Sequence, residues 1–514
     1  MVRQSVAAAL VLLLAGAVPF GRADDGLPPG AVAKLSASGP MFALAFAPDG
    51  RTLASAAQER REVRLWDVKT RRPLHTLAHV GSVRGLAWSP DGHTLACACG
   101  DGAVYLWDTA AGRERRRLRG HRGSVAAVAF APDGKRLASG GADGTVRLWD
   151  VGTGEERHCV AGKADVVSVA FAPEGKLLAV TDADGAGIRL LDPATGAPKR
   201  ALKRPDRQRQ LRAVFGPGGL LASWGVGENY QREVLLWDVE LDEKRQQLQV
   251  LGFDRYPSRP CQACFSAAGR AVAVGGPDRA TRLWEVATGQ EVLRLRGHGS
   301  DVGAVAFGPD GRHLATGGED GAVLLWDLPR CATPGGGGGT EAARLWADLA
   351  DEDAARAWRA GWLLAATPGP AVALARRHLR PVPPLPAGRI QRLVADLDHE
   401  QFAAREKAEA ELKALGRRAE VDLRRTLAST KSAEVRRRAR RLLLPLDGNA
   451  GALPQERLTC RAVAVLERAG TDEARRLVKE LAAGCPTARQ TREARAALAR
   501  LERRPPVAEA AGRP

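Results

Sequence analysis

The sequence predicts a two-part chain, an all-β array of seven stacked repeats followed by an all-α region. Between residues 40 and 330 one phrase recurs, most cleanly as Phe130-Ala-Pro-Asp-Gly134, Leu137-Ala-Ser139, Asp143-Gly and Arg147-Leu-Trp149-Asp150. A unit of this size cannot bury its apolar faces alone, so its copies must stack. The run Gly335–Gly339 then forms a flexible boundary. Beyond it strand-like alternation gives way to Ala, Arg, Glu and Leu at helical spacing.

The repeats end at Leu65-Trp66-Asp67, Leu106-Trp107-Asp108, Leu148-Trp149-Asp150, Leu190-Leu191-Asp192, Leu236-Trp237-Asp238, Leu283-Trp284-Glu285 and Leu325-Trp326-Asp327. Successive endings are 41, 42, 42, 46, 47 and 42 residues apart. This period and the Trp-Asp ending resemble the WD-repeat (WD40) family, which implies a seven-bladed β-propeller over residues 31–330 with four strands per blade. In the third unit, a strand from Val125 to Phe130 leads through Pro132-Asp133-Gly134, a tight-turn sequence, to a second strand around Leu137–Ser139. Asp143-Gly144 turns the chain into a third strand ending at Trp149, and an outer strand runs on toward Gly162. The inner strands are short apolar runs because neighbouring blades cover both of their faces.

The same resemblance implies a hydrogen-bond relay within a blade, linking a Trp ring, a Ser or Thr, a His and a turn Asp. It assigns Trp149, Ser139, His121 and Asp143 to blade three, and Trp326, Thr316, His298 and Asp320 to blade seven. Blade two carries Trp107, His79 and Asp101 but has Cys97 at the Ser position. Blade four departs further, with Lys163, Val180 and Leu191. These His, Ser and Asp residues recur at one phase in several blades, which marks them as structural and not as a hydrolase triad.

Closure of the ring is also legible. After Trp326-Asp327-Leu328 the chain meets Pro329 and the glycine linker at 331–340, leaving no room for a seventh outer strand. The stretch Ala31–Ser36, upstream of the first full repeat, is expected to supply it and to remove a free sheet edge.

Candidate partner contacts fall where the repeat is stretched. Blade five has extra residues at Gly225–Glu233, and the entries to blades five and six are lengthened at Lys203–Gln210 and Gly252–Pro260. These loops share one face of the expected disc. They hold Tyr230 and Tyr256 among Arg207, Arg209, Arg232, Arg255 and Arg259, residue types that anchor protein interfaces.

Residues 1–23 read as a secretory signal: Arg3, an apolar run from Val6 to Val18, then Gly21-Arg22-Ala23 before Asp24-Asp25. The run is too short to span a bilayer, and nothing later resembles a span, so the expected location is the cell envelope or beyond. The eight cysteines are sparse and read as buried thiols. Cys261-x-x-Cys264 lacks the second pair that zinc needs, and Phe265 in place of His excludes a haem attachment site. Net charge is +18, carried by 65 Arg and 12 Lys spread along the whole chain.

In the C-terminal part, helices are expected near 341–350, 352–366, 370–379, 388–397, 399–415, 419–428, 432–443, 455–468, 472–483 and 489–503, within a domain spanning 341–504, with 505–514 a disordered tail. Asp398 and Thr471 read as N-caps, Gly416 and Gly470 as stops, and Pro381 to Pro386 as a break dividing the helices into two parts. Phe402-Ala-Ala-Arg405 with Ala408, Leu412 and Leu415 resembles a HEAT-type helical repeat, echoed at Val435–Leu443 and Ala474–Leu481. By its layout the chain resembles exported bacterial WD-repeat proteins with an appended helical domain.

No phosphate-binding loop and no Gly-x-Ser-x-Gly nucleophile motif occurs, and His399-Glu400 lacks a second histidine because residue 403 is Ala. No catalytic, cofactor-binding or metal-binding residues are assigned. The expected function is a non-catalytic scaffold that binds one or more proteins through the propeller face and the helical domain. The alternative is a binder of an anionic polymer, nucleic acid or acidic polysaccharide, through arginine-rich surfaces. The export signal and the lack of a reading module argue against nucleic acid.

Overall fold

A computed structural model describes residues 27–502 except 37–38, 58–59, 186, 204–208, 227–231, 240–242, 251–261, 333–341, 384, 387, 431, 444–453 and 487. Residues 31–327 form seven four-stranded antiparallel sheets, the blades of a propeller. Blade three shows the plan: Val125–Phe130 innermost, then Arg136–Gly141, Thr145–Asp150 and the outer strand Glu156–Ala161. Leu137, Ala138, Val146, Leu148 and Trp149 lie between this blade and its neighbours and are buried. In six of the seven blades the inner strand begins with a register shift, as between Val125 and Ala127. Such a bulge adds twist where the strands crowd the axis.

Blade seven holds Val302–Phe307, His313–Gly318 and Ala322–Asp327, and its outer strand is Ala31–Ser36. That strand runs antiparallel to its neighbour, with Lys34 opposite Leu324 and Ser36 opposite Ala322. Ala33 and Leu35 enter one core with Met41 and Trp66 of blade one and Val323 and Leu325 of blade seven. The ring is therefore closed by strand pairing between segments almost 300 residues apart, and blade seven has no missing strand.

The C-terminal region is helical, with eleven α-helices among the described residues. Ten follow the expected segments; the short helix Leu328–Ala332, directly after the last strand, was not expected. Thr471 caps its helix through Ala474 N–H, whereas Asp398 does not cap one. The next helix begins at Phe402 after Gln401, and Asp398 instead accepts a hydrogen bond from Ser432 Oγ at 2.7 Å. The helices form two cores, but not as a front and a back half. Helices Ala342–Asp348, Ala354–Ala366 and Pro368–His378 share a core with the last three, Pro454–Ala469, Asp472–Ala482 and Arg489–Glu502. The four between, from Arg389–Asp396 to Ala433–Leu443, form the second. The arginine run of Ala433–Leu443 is largely engaged inside this second group. Arg438 is buried and bonds Glu406, Glu409 and Glu434, while Arg437 pairs with Glu434 and Arg441 with Glu409.

Candidate functional site

In blade three Trp149 Nε1–H donates to Ser139 Oγ at 2.8 Å, and Ser139 Oγ lies 2.8 Å from His121 Nε2. His121 Nδ1 faces Asp143 at 3.0 Å. Burial pushes the His121 ring below its ordinary pKa, more than Asp143 raises it, so it is neutral and donates from Nδ1. Asp143 also accepts from Arg122 N–H and Thr145 N–H. The relay therefore fastens the third strand to the turns at the blade rim. Blade seven repeats it with Trp326, Thr316, His298 and Asp320, at 2.9 Å, 2.7 Å and 3.3 Å along the chain of bonds.

In each of these two blades the geometry depends on one glycine. A Cβ on Gly141 would come within 2.4 Å of His121 Nδ1, and one on Gly318 within 2.5 Å of His298 Nδ1. Blade two has Cys99 at that position and Cys97 for the Ser, and its relay differs from the expected one. His79 does not bond Asp101. Its Nε2 accepts directly from Trp107 Nε1–H at 3.0 Å, and its Nδ1 bonds Leu77 O at 3.0 Å. Asp101 is taken instead by the Tyr105 hydroxyl at 2.5 Å. Burial lowers the His79 pKa to about 4, and burial together with the Asp101 bond raises that of Tyr105 to about 12. Tyr105 stands where blade three has Arg147.

All of these groups are locked inside blades. The candidate contacts Arg207, Tyr230, Arg255, Tyr256 and Arg259 lie outside the described residues, as do the side chains of Arg209 and Arg232, whose backbones belong to the strands Arg209–Phe215 and Arg232–Asp238. Antiparallel order puts the strand ends that these segments join on one face of the disc.

The opposite face, at blades six and seven, carries a second cluster that sequence reading missed. Helix Ala354–Ala366 lays Trp358 and Trp362 into a core with Leu283, Val292 and Leu295 of blade six and Leu324 and Trp326 of blade seven. Its first N–H group, on Ala354, donates to Gln290 Oε1 of blade six at 3.0 Å. Arg468 stacks on both indoles, 4.9 Å and 4.2 Å from the ring centres, and burial lowers its pKa only to about 10, so it stays charged.

Three ionic contacts surround this core. Arg461 grips Glu285 of blade six with two bonds, 2.9 Å and 2.7 Å, and also bonds Leu349 O and Asp351 O. Arg270 of blade six donates to Glu467 at 2.6 Å, and Arg500 holds the same carboxylate in a bidentate pair. Burial by itself would raise the Glu467 pKa, but Arg270 and Arg500 outweigh it and hold it at about 2. The signal for this junction was present in the repeat. In blades one to three the terminal Asp caps its own turn, as Asp150 does for Thr153 N–H, whereas blade six ends in Trp284-Glu285. The extra methylene lets the carboxylate reach beyond the blade.

Among the described residues no group of His, Cys, Asp and Glu is arranged to hold a metal ion, and seven cysteines are free thiols. No described helix is long and apolar enough to cross a membrane.

Seven sheets of four strands, pinned by Trp-centred relays and closed by a strand from the other end of the ring, define a repeat propeller of the kind that serves typically as an interaction scaffold. The family model of the WD domain, G-beta repeat (WD40), matches residues 31–67, 71–108, 112–150 and 289–327. Residues 31–327 are accordingly a seven-bladed β-propeller that carries WD40 repeats. Each matched segment starts with the outer strand of one blade and ends with the third strand of the next, so the sequence repeat itself staples neighbouring blades together. Blades four and five, and most of blade six, fall outside the matches; there Leu191, the stretched connections and Glu285 depart from the pattern. No curated protein matches the chain.

Proposed function

We propose that this chain is a non-catalytic scaffold for protein–protein interaction that works in the cell envelope, with the propeller and a HEAT-like helical region acting as one body. The observation that carries the proposal is the junction on blade six. Arg270, Glu285 and Gln290 all lie at turns joining first to second or third to fourth strands, which share one face of the disc. The helical region takes that face at blades six and seven. The other face, on which the strand ends joined by the segments holding Tyr230 and Tyr256 lie, is left for partners. Several arginines behind the net charge of +18 are consumed internally, as Arg270, Arg438, Arg461, Arg468 and Arg500 show, which favours a protein partner over an anionic polymer. The envelope location rests on the signal-like segment at residues 1–23.

Tagged chain expressed in its native cell should fractionate with the envelope and capture a defined protein set. Tyr230→Ala combined with Tyr256→Ala should abolish that capture with an unchanged melting temperature. Equal capture by the double variant, or recovery of the chain in the cytosol, would remove the respective part of the proposal.

A further inference from the structure

Blade five departs from the other blades at one level of the ring. Where the first strand pairs with the second, a small residue recurs on the innermost strand: Ala43, Gly85, Ala127, Ser168 and Ala304 in blades one to four and seven. Blade five has Arg212 there, opposite Trp224 on its second strand. The second-strand position is tightly packed elsewhere. A Cβ on Gly140 would come within 2.4 Å of Val166 in the next blade, one on Gly275 within 2.4 Å of Val302, and one on Gly317 within 2.7 Å of Met41. In blade five that space holds the Trp224 indole, which shares a core with Ala263 of blade six. The innermost strands of blades five and six are therefore held apart at a level where other neighbours close on each other.

Arg212 stands at this gap, three residues in from the end of its strand, Arg209–Phe215, on the face left for partners. Pairing is regular from Arg212 to Phe215, the register shift falling before Arg212. Ala213 packs with Ile188 and Leu190 of blade four and Val214 with Val272 of blade six, so alternation turns Arg212 toward blade six. Arg212 is half-buried, and its Nε is sealed from solvent with no hydrogen-bond partner. Among the described residues no carboxylate acts on it, and burial lowers its pKa only to about 10, so it is charged at neutral pH. A desolvated charge without a counter-ion costs stability, and the fold takes no bond from this one in return. Gln262, at the corresponding position of blade six, has its amide committed to Phe42 O at 2.9 Å.

We propose that the gap between the innermost strands of blades five and six receives the carboxylate of a protruding Glu or Asp of a partner protein, held by the Arg212 guanidinium. This rests on the scaffold reading above and names the chemistry that the partner brings to that face. One guanidinium matches the single charge of a carboxylate. A phosphate, with nearly two charges, calls for further cations, and among the described residues no second cation acts at Arg212.

The test selects short random peptides displayed on phage against the immobilised full chain and measures the winners by fluorescence anisotropy. They should share one acidic residue at a fixed position, and exchanging it for its amide should weaken binding about tenfold or more, the worth of a charge-assisted hydrogen bond. Arg212→Met should cause the same loss for the acidic peptide and no further loss for its amide form. The melting temperature of Arg212→Met should hold or rise, because the substitution removes an unpaired charge and breaks no bond. Winners without a shared acidic residue, binding indifferent to Arg212→Met, tighter binding when phosphoserine replaces the acid, or a lowered melting temperature that marks the guanidinium as structural would each overturn the proposal. Peptides that are lost with Tyr230→Ala and Tyr256→Ala yet ignore Arg212→Met would remove the carboxylate site and leave that face as a partner surface.

Discussion

Replacing Arg461 by Met should detach the helical region from the propeller. The guanidinium makes two bonds to Glu285, at 2.9 Å and 2.7 Å, and two more to the carbonyls of Leu349 and Asp351. Both side chains are only 10% exposed. Methionine keeps the apolar volume but leaves the Glu285 carboxylate buried with no guanidinium, a change of the kind that costs about 3–5 kcal/mol. Glu285→Asp is the sharper variant. It restores the residue with which five of the other repeats end in Trp-Asp, yet it shortens the reach by one methylene and should lose most of the coupling. Urea unfolding followed by tryptophan fluorescence reads the junction directly, because Trp358 and Trp362 lie in it. A double-mutant cycle with Glu285→Gln and Arg461→Met should give a coupling of about 2–4 kcal/mol. A loss below about 1 kcal/mol for Arg461→Met, with an additive cycle, would refute the reasoning.

Ser139→Ala strands Trp149 Nε1–H and His121 Nε2 in blade three and should cost about 2–3 kcal/mol in chemical unfolding. Cys97→Ser should change stability by less than about 1 kcal/mol, because His79 already holds Trp107. His79 has a folded pKa of about 4 against an ordinary 6.5, so the unfolded chain takes up a proton that the folded blade refuses. Its contribution is complete above pH 6.5 and is lost as pH falls toward 4, by roughly 3 kcal/mol; His79→Gln should flatten that part of the stability profile measured by urea titration. Deleting residues 31–38 removes the strand paired with Ala322–Asp327 and should lower the melting temperature and raise protease sensitivity of the whole ring; unchanged melting would contradict the closure.

Much of the ring was legible because its information is local and repeated. Asp-Gly turns, alternating apolar strands and a terminal Trp recur at one period, and each copy predicts the next. The closing strand could be placed by counting, since the last copy lacks an outer strand and Ala31–Ser36 stands spare upstream. The relay in blade two was misread for a steric reason that sits in the sequence but needs coordinates to see: Cys99 brings a Cβ to the position that Gly141 and Gly318 leave open for the histidine in blades three and seven, and His79 turns to Trp107 and Asp101 to Tyr105. The helical region was legible as helices but not as an arrangement. Which helices share a core is decided by contacts between residues 342–379 and 454–501, and periodicity along the chain carries no record of such pairing. Glu285 was visible as an exception to the repeat, yet its meaning lay in Arg461, 176 residues away.

The central claim is that propeller and helical region form one rigid scaffold with the junction on one face and the other face open. Pulsed electron–electron resonance tests it most directly, with one spin label on the exposed Cys159 of blade three and one on Lys479→Cys of helix Asp472–Ala482. A single narrow distance distribution is predicted for the otherwise native chain, broadening when Glu285→Asp is added. A broad or multi-peaked distribution in the native chain, or one unchanged by Glu285→Asp together with Arg461→Met, would contradict it.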